Sequence, residues 1–297
     1  MSEKTRVHPW LLAARPRTLT ASVAPVLVGT ALARGLGQEA VAWPLAVLAL
    51  ASATFIQIGT NLVNDAADFE RGADTHDRRG PIRATQTGLL TPRQVKLGAA
   101  GAFAFAALLG IPLLYAGGTP ILVIGVLSII AGCAYTTGPM PLAYVGLGEI
   151  FVLLFFGLAA VKGTAYVVAG QAFTPWAELA ALQVGLQSAT LLAINNLRDA
   201  AGDARAGKRT LAVRFGPRFG RWEIAALVVG PFAGGAGWWA AERALASWLP
   251  LLCLPLAWTL LRRVWSEEPG TRSNQHLAMS ARLQLVFASL LAAGLVL

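Results

Sequence analysis

Long apolar runs dominate this chain and limit what it can become. About nine stretches, near 17–34, 42–67, 94–114, 118–137, 144–168, 176–198, 221–241, 246–265 and 276–296, are long enough to cross a bilayer as helices, a crossing that takes roughly 20 residues. Strand-like alternation is absent, which excludes a β-barrel. Only 13% of residues are charged and 56% are hydrophobic, whereas a soluble domain carries about a quarter charged residues. No polar stretch is long enough for a separate soluble unit, so residues 1–297 read as one all-α integral membrane domain. The opening Met1 to Trp10 lacks the small-residue cleavage site of a secretory signal, so the first apolar run is expected to stay as a span.

The basic residues are distributed unevenly. Of the 24 lysines and arginines, only Arg34, Lys162 and Arg243 fall on one side of the nine-span arrangement. The rest lie before span one and in the loops after the even-numbered spans. Basic loops stay in the cytoplasm, so the N-terminus and those loops are expected there, in the cell's inner membrane. The net charge of +9 is therefore mainly topological, and no nucleic-acid partner is expected. Cys133 and Cys253 sit alone in apolar runs without metal-ligand spacing, which suggests packing rather than a disulfide or zinc.

Two acidic clusters interrupt this pattern. Asn61, Asn64, Asp65 and Asp68 end the second apolar run, and Asn195, Asp199 and Asp203 end the sixth. Spacings of three, four, seven and eight residues put each set on one helical face. A carboxylate costs on the order of 3 kcal/mol at a bilayer centre, so two matched clusters at the same membrane face imply a shared site. Hard oxygen ligands suit Mg²⁺, which is held by one or two carboxylates, water and phosphate oxygens. The surrounding Arg71, Arg78, Arg79, Arg83, Arg198, Arg205, Lys208 and Arg209 supply charge-assisted donors for phosphate. Metal and cations together stabilise a departing diphosphate. Gly72, Gly80, Pro81, Gly88 and Pro92 make the loop after span two irregular, suited to a lid over a charged head group.

These residues resemble the UbiA superfamily of intramembrane prenyltransferases. More narrowly, the chain is similar to the 1,4-dihydroxy-2-naphthoate polyprenyltransferases of menaquinone biosynthesis (MenA type). The resemblance is carried by Arg15-Pro-Arg17, Asn61 to Thr75, the loop Gly80 to Gly88 with Arg83 and Gln86, Gly146 to Gly157, and Asn195 to Gly216. It implies nine helices around a central cavity, with the diphosphate site under a cytoplasmic cap. It also implies Mg²⁺-assisted ionisation of a polyprenyl diphosphate and transfer of the prenyl group to 1,4-dihydroxy-2-naphthoate, with loss of carbon dioxide, giving demethylmenaquinol. Asn64, Asp65 and Asp68 match the first metal motif, and Asp199 and Asp203 the second. The third Asp of the broad superfamily pattern is Gly72 here, with Asp74 two residues later, as in the menaquinone branch.

On that basis Asp65, Asp68, Asp199 and Asp203 are expected to hold Mg²⁺, with Asn61, Asn64 and Asn195 orienting diphosphate or water. Arg83, Gln86, Lys208 and Arg209 are expected at the diphosphate. Arg15 and Arg17 are candidates for the acceptor's carboxylate, and Glu149 for a base at a ring hydroxyl or a partner of those arginines. Tyr135, Tyr144, Phe155 and Phe156 are candidate cation–π partners, though membrane aromatics more often pack. Lys162 reads as a snorkelling side chain at the external face. Two other readings stand beside this one: the same fold with another acceptor, such as 4-hydroxybenzoate or homogentisate, and an anion transporter. Transporters place such residues near the bilayer midplane on broken helices, whereas these clusters lie at helix ends.

Overall fold

A computed structural model of the chain describes residues 8–35, 41–72, 80–139, 141–169 and 174–297, with only the backbone of Arg17. Among them every regular element is helical. The short helix α1 (Pro9–Ala14) leads into α2 (Thr20–Gly35), α3 (Trp43–Glu70) and α4 (Pro92–Ala134). Next come α5 (Gly148–Val152), a π-helical stretch (Leu153–Lys162) and α6 (Gly163–Ala169), which run as one rod. The remaining helices are α7 (Pro175–Arg205), α8 (Leu211–Gly234), α9 (Ala244–Trp248), α10 (Leu254–Ser266) and α11 (Ser273–Val296).

Among the described residues six rods are long and apolar enough to cross a membrane: Trp43–Glu70, Pro92–Ala134, Gly148–Ala169, Pro175–Arg205, Ala244–Ser266 and Ser273–Val296. The protein is an integral membrane protein. The 43 residues of α4 would reach ~65 Å as one straight helix, about twice the hydrocarbon thickness. The chain instead kinks at Gly118 (φ 60°, ψ −150°), two residues before Pro120, so the runs expected at 94–114 and 118–137 form two halves of one merged helix. The seventh expected run, 221–241, is displaced. Its helix starts ten residues earlier, at Leu211 behind a Thr210 cap, and breaks at Gly216 before Pro217. Pro217 has no N–H to continue the ladder.

Polarity is arranged from the inside out along α4. Leu97, Phe105, Leu108 and Ile130 are exposed, whereas most buried positions are small, among them Ala99, Ala102 and Ala106 beside Val95 and Leu113. Large apolar side chains on the outer surface are what a lipid solvent selects. The main interior cluster joins α2, the π stretch, α7, α8, α10 and α11 through Val28, Val161, Val184, Ile224, Leu260 and Phe287. Close approach depends on glycine where the π stretch meets α7. A Cβ on Gly157 would lie 2.5 Å from the Ala181 carbonyl and 3.0 Å from Gly185 Cα, the small-residue packing typical of membrane helices. Polar staples complement it: Gln183 donates to the Pro231 carbonyl at 2.7 Å and accepts from the Trp238 indole at 2.9 Å. Lys162 is partly buried and ion-paired with Glu178 of α7, so it ties two rods together and is not simply a side chain reaching for water.

Candidate active site

The ends of α3 and α7 meet through the loops that follow them. The helix α3 stops at Glu70, and Gly72 takes a left-handed conformation (φ 67°) while its N–H bonds the Phe69 carbonyl at 3.0 Å. Glycine adopts this conformation without a Cβ clash. The helical face carrying Asp65 and Asp68 has ended at this point, where the chain has Gly72 instead of a third acid. Asp74, Asp77, Arg78 and Arg79 lie outside the described residues.

A strap of loop, residues 83–85, lies over the last turns of α3. Arg83 is buried and donates to the Asn64 carbonyl at 2.7 Å and to Asp68 Oδ2 at 2.8 Å. The Ala84 N–H donates to Asp65 Oδ2 at 3.2 Å, and the Thr85 hydroxyl donates to Asp65 Oδ1. Asp65 is fully buried, with a strap donor on each carboxylate oxygen. Asn64 Oδ1 accepts from Thr136 at 2.7 Å, which brings the end of α4 into the same group. Gln86 follows on the strap, half-buried.

From the other side, α7 carries Asn195, Asp199 and Asp203. A turn through Gly207 (φ 74°) sends Lys208 back over the helix end. Its ammonium lies 3.1 Å from Asp68 Oδ1 and 3.9 Å from Asp203 Oδ1. One cation therefore draws together an acid from each motif. Tyr144, in the loop after α4, has Arg71 and Lys208 each 5.0 Å from its ring centroid, within cation–π range. Its hydroxyl donates to Asp68 over a long 3.4 Å. Burial, reinforced by the neighbouring Asp68 carboxylate, holds the Tyr144 phenol above the usual tyrosine range.

Other candidates are placed differently. Asp199 is gripped by its own neighbour: Arg198 donates to both its oxygens at 2.8 and 2.6 Å, and reaches Asn274 of α11 at 2.8 Å. The Arg209 side chain is exposed, and the Arg209 backbone N–H docks the loop on the Tyr144 carbonyl at 2.9 Å. Asn61 donates to the Ala14 carbonyl at 2.9 Å and to Thr18 at 3.0 Å, and accepts from Gln57, so it fastens the turn containing Arg15. Arg15 stands in a left-handed conformation (φ 53°) within electrostatic reach of Asp68. Asn195 is half-buried one turn before Asp199. Glu149 has Asn196 as a hydrogen-bond partner, at 2.6 Å, while the side chain of Arg17, one of the arginines weighed above, lies outside the described residues. Thr85, Thr136 and Asn196 lay outside the expected set. Each stands beside a residue in or near a motif, but only the fold shows where its side chain turns.

Among the described residues no three acids or histidines lie close enough to enclose a metal. The donor set fits Mg²⁺ nonetheless, because that ion takes one or two carboxylates and completes its shell with water and substrate phosphate. Asp68 and Asp203, with oxygen-only side chains and abundant cations beside them, are such a set. What the arrangement can do chemically is hold a polyanion and balance its charge.

The fold and the paired motifs define a class. The UbiA prenyltransferase family matches residues 22–291, and the chain belongs to that family. Within it several of the similar curated bacterial proteins share one name. The 1,4-dihydroxy-2-naphthoate octaprenyltransferase of Escherichia coli is 38% identical over 89% of this chain and 87% of its own length. That of Mycobacterium tuberculosis is 43% identical over 70% of each. Among solved structures, a UbiA homologue from Archaeoglobus fulgidus bound to DMAPP and Mg²⁺ superposes with a TM-score of 0.71 over 97% of this chain and 99% of that one, at 19% identity. At that identity the likeness establishes the fold alone.

Proposed function

We propose that this protein transfers a polyprenyl group from its diphosphate to 1,4-dihydroxy-2-naphthoate, releasing diphosphate and carbon dioxide and giving demethylmenaquinol. The acceptor follows the name carried by the curated relatives from Mycobacterium tuberculosis, Escherichia coli and Haemophilus influenzae. The observation that carries the chemistry is Lys208 standing between Asp68 and Asp203 while Arg83 closes on Asp68.

In this reading Asp65, Asp68, Asp199 and Asp203 form the acidic set for Mg²⁺, and Asp68 and Asp203 face the ion most directly. Bound there, Mg²⁺ supplies positive charge to a leaving diphosphate. Lys208 and Arg83 balance the same charge, with Arg209 and Gln86 at the rim, and Asn64 and Asn195 orient the head group. Such preorganised donors act more strongly in a site shielded from water than they would in solution. Asn61 places Arg15, which with Arg17 meets the acceptor's carboxylate. Glu149 serves the ring. The chain is a single domain with nine crossings, counting α2, α8 and each half of α4. The charge asymmetry supports a cytoplasmic N-terminus and a site on the cytoplasmic face of the inner membrane.

Membranes containing the protein, supplied with dihydroxynaphthoate, a polyprenyl diphosphate and Mg²⁺, are expected to form demethylmenaquinol. Full turnover by both Asp68→Ala and Asp203→Ala would overturn the assignment of the acids.

A further inference from the structure

Glu149 is the second residue of α5 and is 7% exposed. Its Oε1 accepts a 2.6 Å hydrogen bond from Asn196 Nδ2 of α7. Its Oε2 is also buried, and has no hydrogen-bond partner among the described residues. A buried carboxylate oxygen without a donor is costly, and such atoms persist where a ligand supplies the missing bond. Other buried polar atoms without partners, on Gln187, Ser280 and Gln284, belong to tightly packed faces of α7 and α11. Glu149 is different, because it borders the acidic site. Tyr135, at the end of α4, lies within electrostatic reach of Glu149, Asp68 and Asp203 together. The Tyr135 hydroxyl stands 3.3 Å from the place a Cβ on Gly148 would occupy. Glu223 of α8 also lies within electrostatic reach of Glu149.

Asn195 and Asn196 are adjacent, and a helix turns about 100° between neighbours. Asn195 follows the line of Asp199 and Asp203, whereas Asn196 faces α5. We infer that Asn196 is a positioning residue for the aromatic acceptor: it holds Glu149 by Oε1 so that Oε2 is presented to a ring hydroxyl. The end of α7 then serves both substrates, with Asp203 on the diphosphate side and Asn196, through Glu149, on the acceptor side. This inference rests on the prenyl-transfer reading above.

The electron and proton balance is closed. Oε2 accepts the hydroxyl hydrogen as ring electrons form the new carbon–carbon bond to the prenyl group. The prenyl carbon–oxygen bond breaks, and its electron pair leaves with diphosphate. The carboxylate departs as carbon dioxide, its bonding pair restores the aromatic ring, and the proton returns from Glu149 to the ring oxygen.

The test uses purified full-length protein in detergent with Asn196→Leu, Glu149→Gln and the double variant. Three quantities are measured: kcat and KM for dihydroxynaphthoate, Mg²⁺-dependent binding of a labelled polyprenyl diphosphate, and the melting temperature. Each single variant is expected to lower kcat roughly 10- to 100-fold, the size of losing one hydrogen bond to a charged group. Diphosphate binding is expected to stay within about twofold, and the double variant to be no worse than the poorer single, as for residues acting as a unit. Asn196→Leu with unchanged kcat overturns the inference, and so does loss of diphosphate binding alongside kcat. If Asn196→Leu does not fold, Asn196→Ala replaces it, removing the donor without added bulk; full transfer by that variant overturns the inference equally. Wild-type protein that turns over no dihydroxynaphthoate would refute the functional reading itself, and is checked before any variant is interpreted.

Discussion

Lys208 stands 3.1 Å from Asp68, although 140 residues separate them in the chain. The contact exists because Gly207 reverses the backbone after α7 and the α7 and α3 ends open onto the same side. One ammonium thereby neutralises the first acidic motif while remaining near Asp203 of the second. At 13% and 3% side-chain exposure the two charges attract more strongly than a surface ion pair does, against a larger cost of desolvating them.

Removing that ammonium is expected to weaken diphosphate binding. Lys208→Met should raise the KM for polyprenyl diphosphate roughly 10- to 100-fold, the loss of one charge-assisted contact. Lys208→Arg should retain part of the affinity. Steady-state kinetics in detergent micelles read both.

The motif acids differ in their surroundings, and their variants should differ too. Asp68→Asn and Asp203→Asn are expected to abolish most turnover. Asp199→Asn should be milder, because Asp199 is held by Arg198. Chelating divalent metal should silence the wild type, and added Mg²⁺ should restore it. An Asp199→Asn loss equal to that of Asp68→Asn would contradict the ranking.

The strap over α3 makes Thr85 a stability residue. Thr85→Val leaves the fully buried Asp65 Oδ1 without its hydroxyl donor, at a cost of about 1–3 kcal/mol. A lower melting temperature, with diphosphate affinity falling as the strap loosens, is the expected outcome.

Gly157 tests the helix packing independently of the site. A methyl group there would meet the backbone of Ala181 and Gly185, which cannot move aside as a flexible side chain can. Gly157→Ala is expected to destabilise the protein by about 1–3 kcal/mol, measured by thermal unfolding in detergent.

Tyr144 contributes mainly its ring. Tyr144→Phe keeps the face near Arg71 and Lys208 and loses only a 3.4 Å contact to Asp68, so activity should change by less than about threefold. Tyr144→Leu removes the ring and should cost more. Paired activity assays distinguish the two.

The helical membrane class was readable directly, because apolar runs of bilayer length leave the backbone one way to satisfy its hydrogen bonds. The two motifs were equally plain, since spacings of three and four residues map to one helical face without further information. The partners of those acids were not. Whether Asp199 turns to its neighbour or to the opposite helix, whether Thr85 reaches back over α3, and which asparagine meets Glu149 depend on loop paths and side-chain directions set by distant packing. Local pattern thus determined that this chain enters lipid as helices and carries two acidic ends. Tertiary structure decided which charges meet, because an ion pair requires two remote segments to arrive within about 4 Å of each other, and no local spacing encodes that distance.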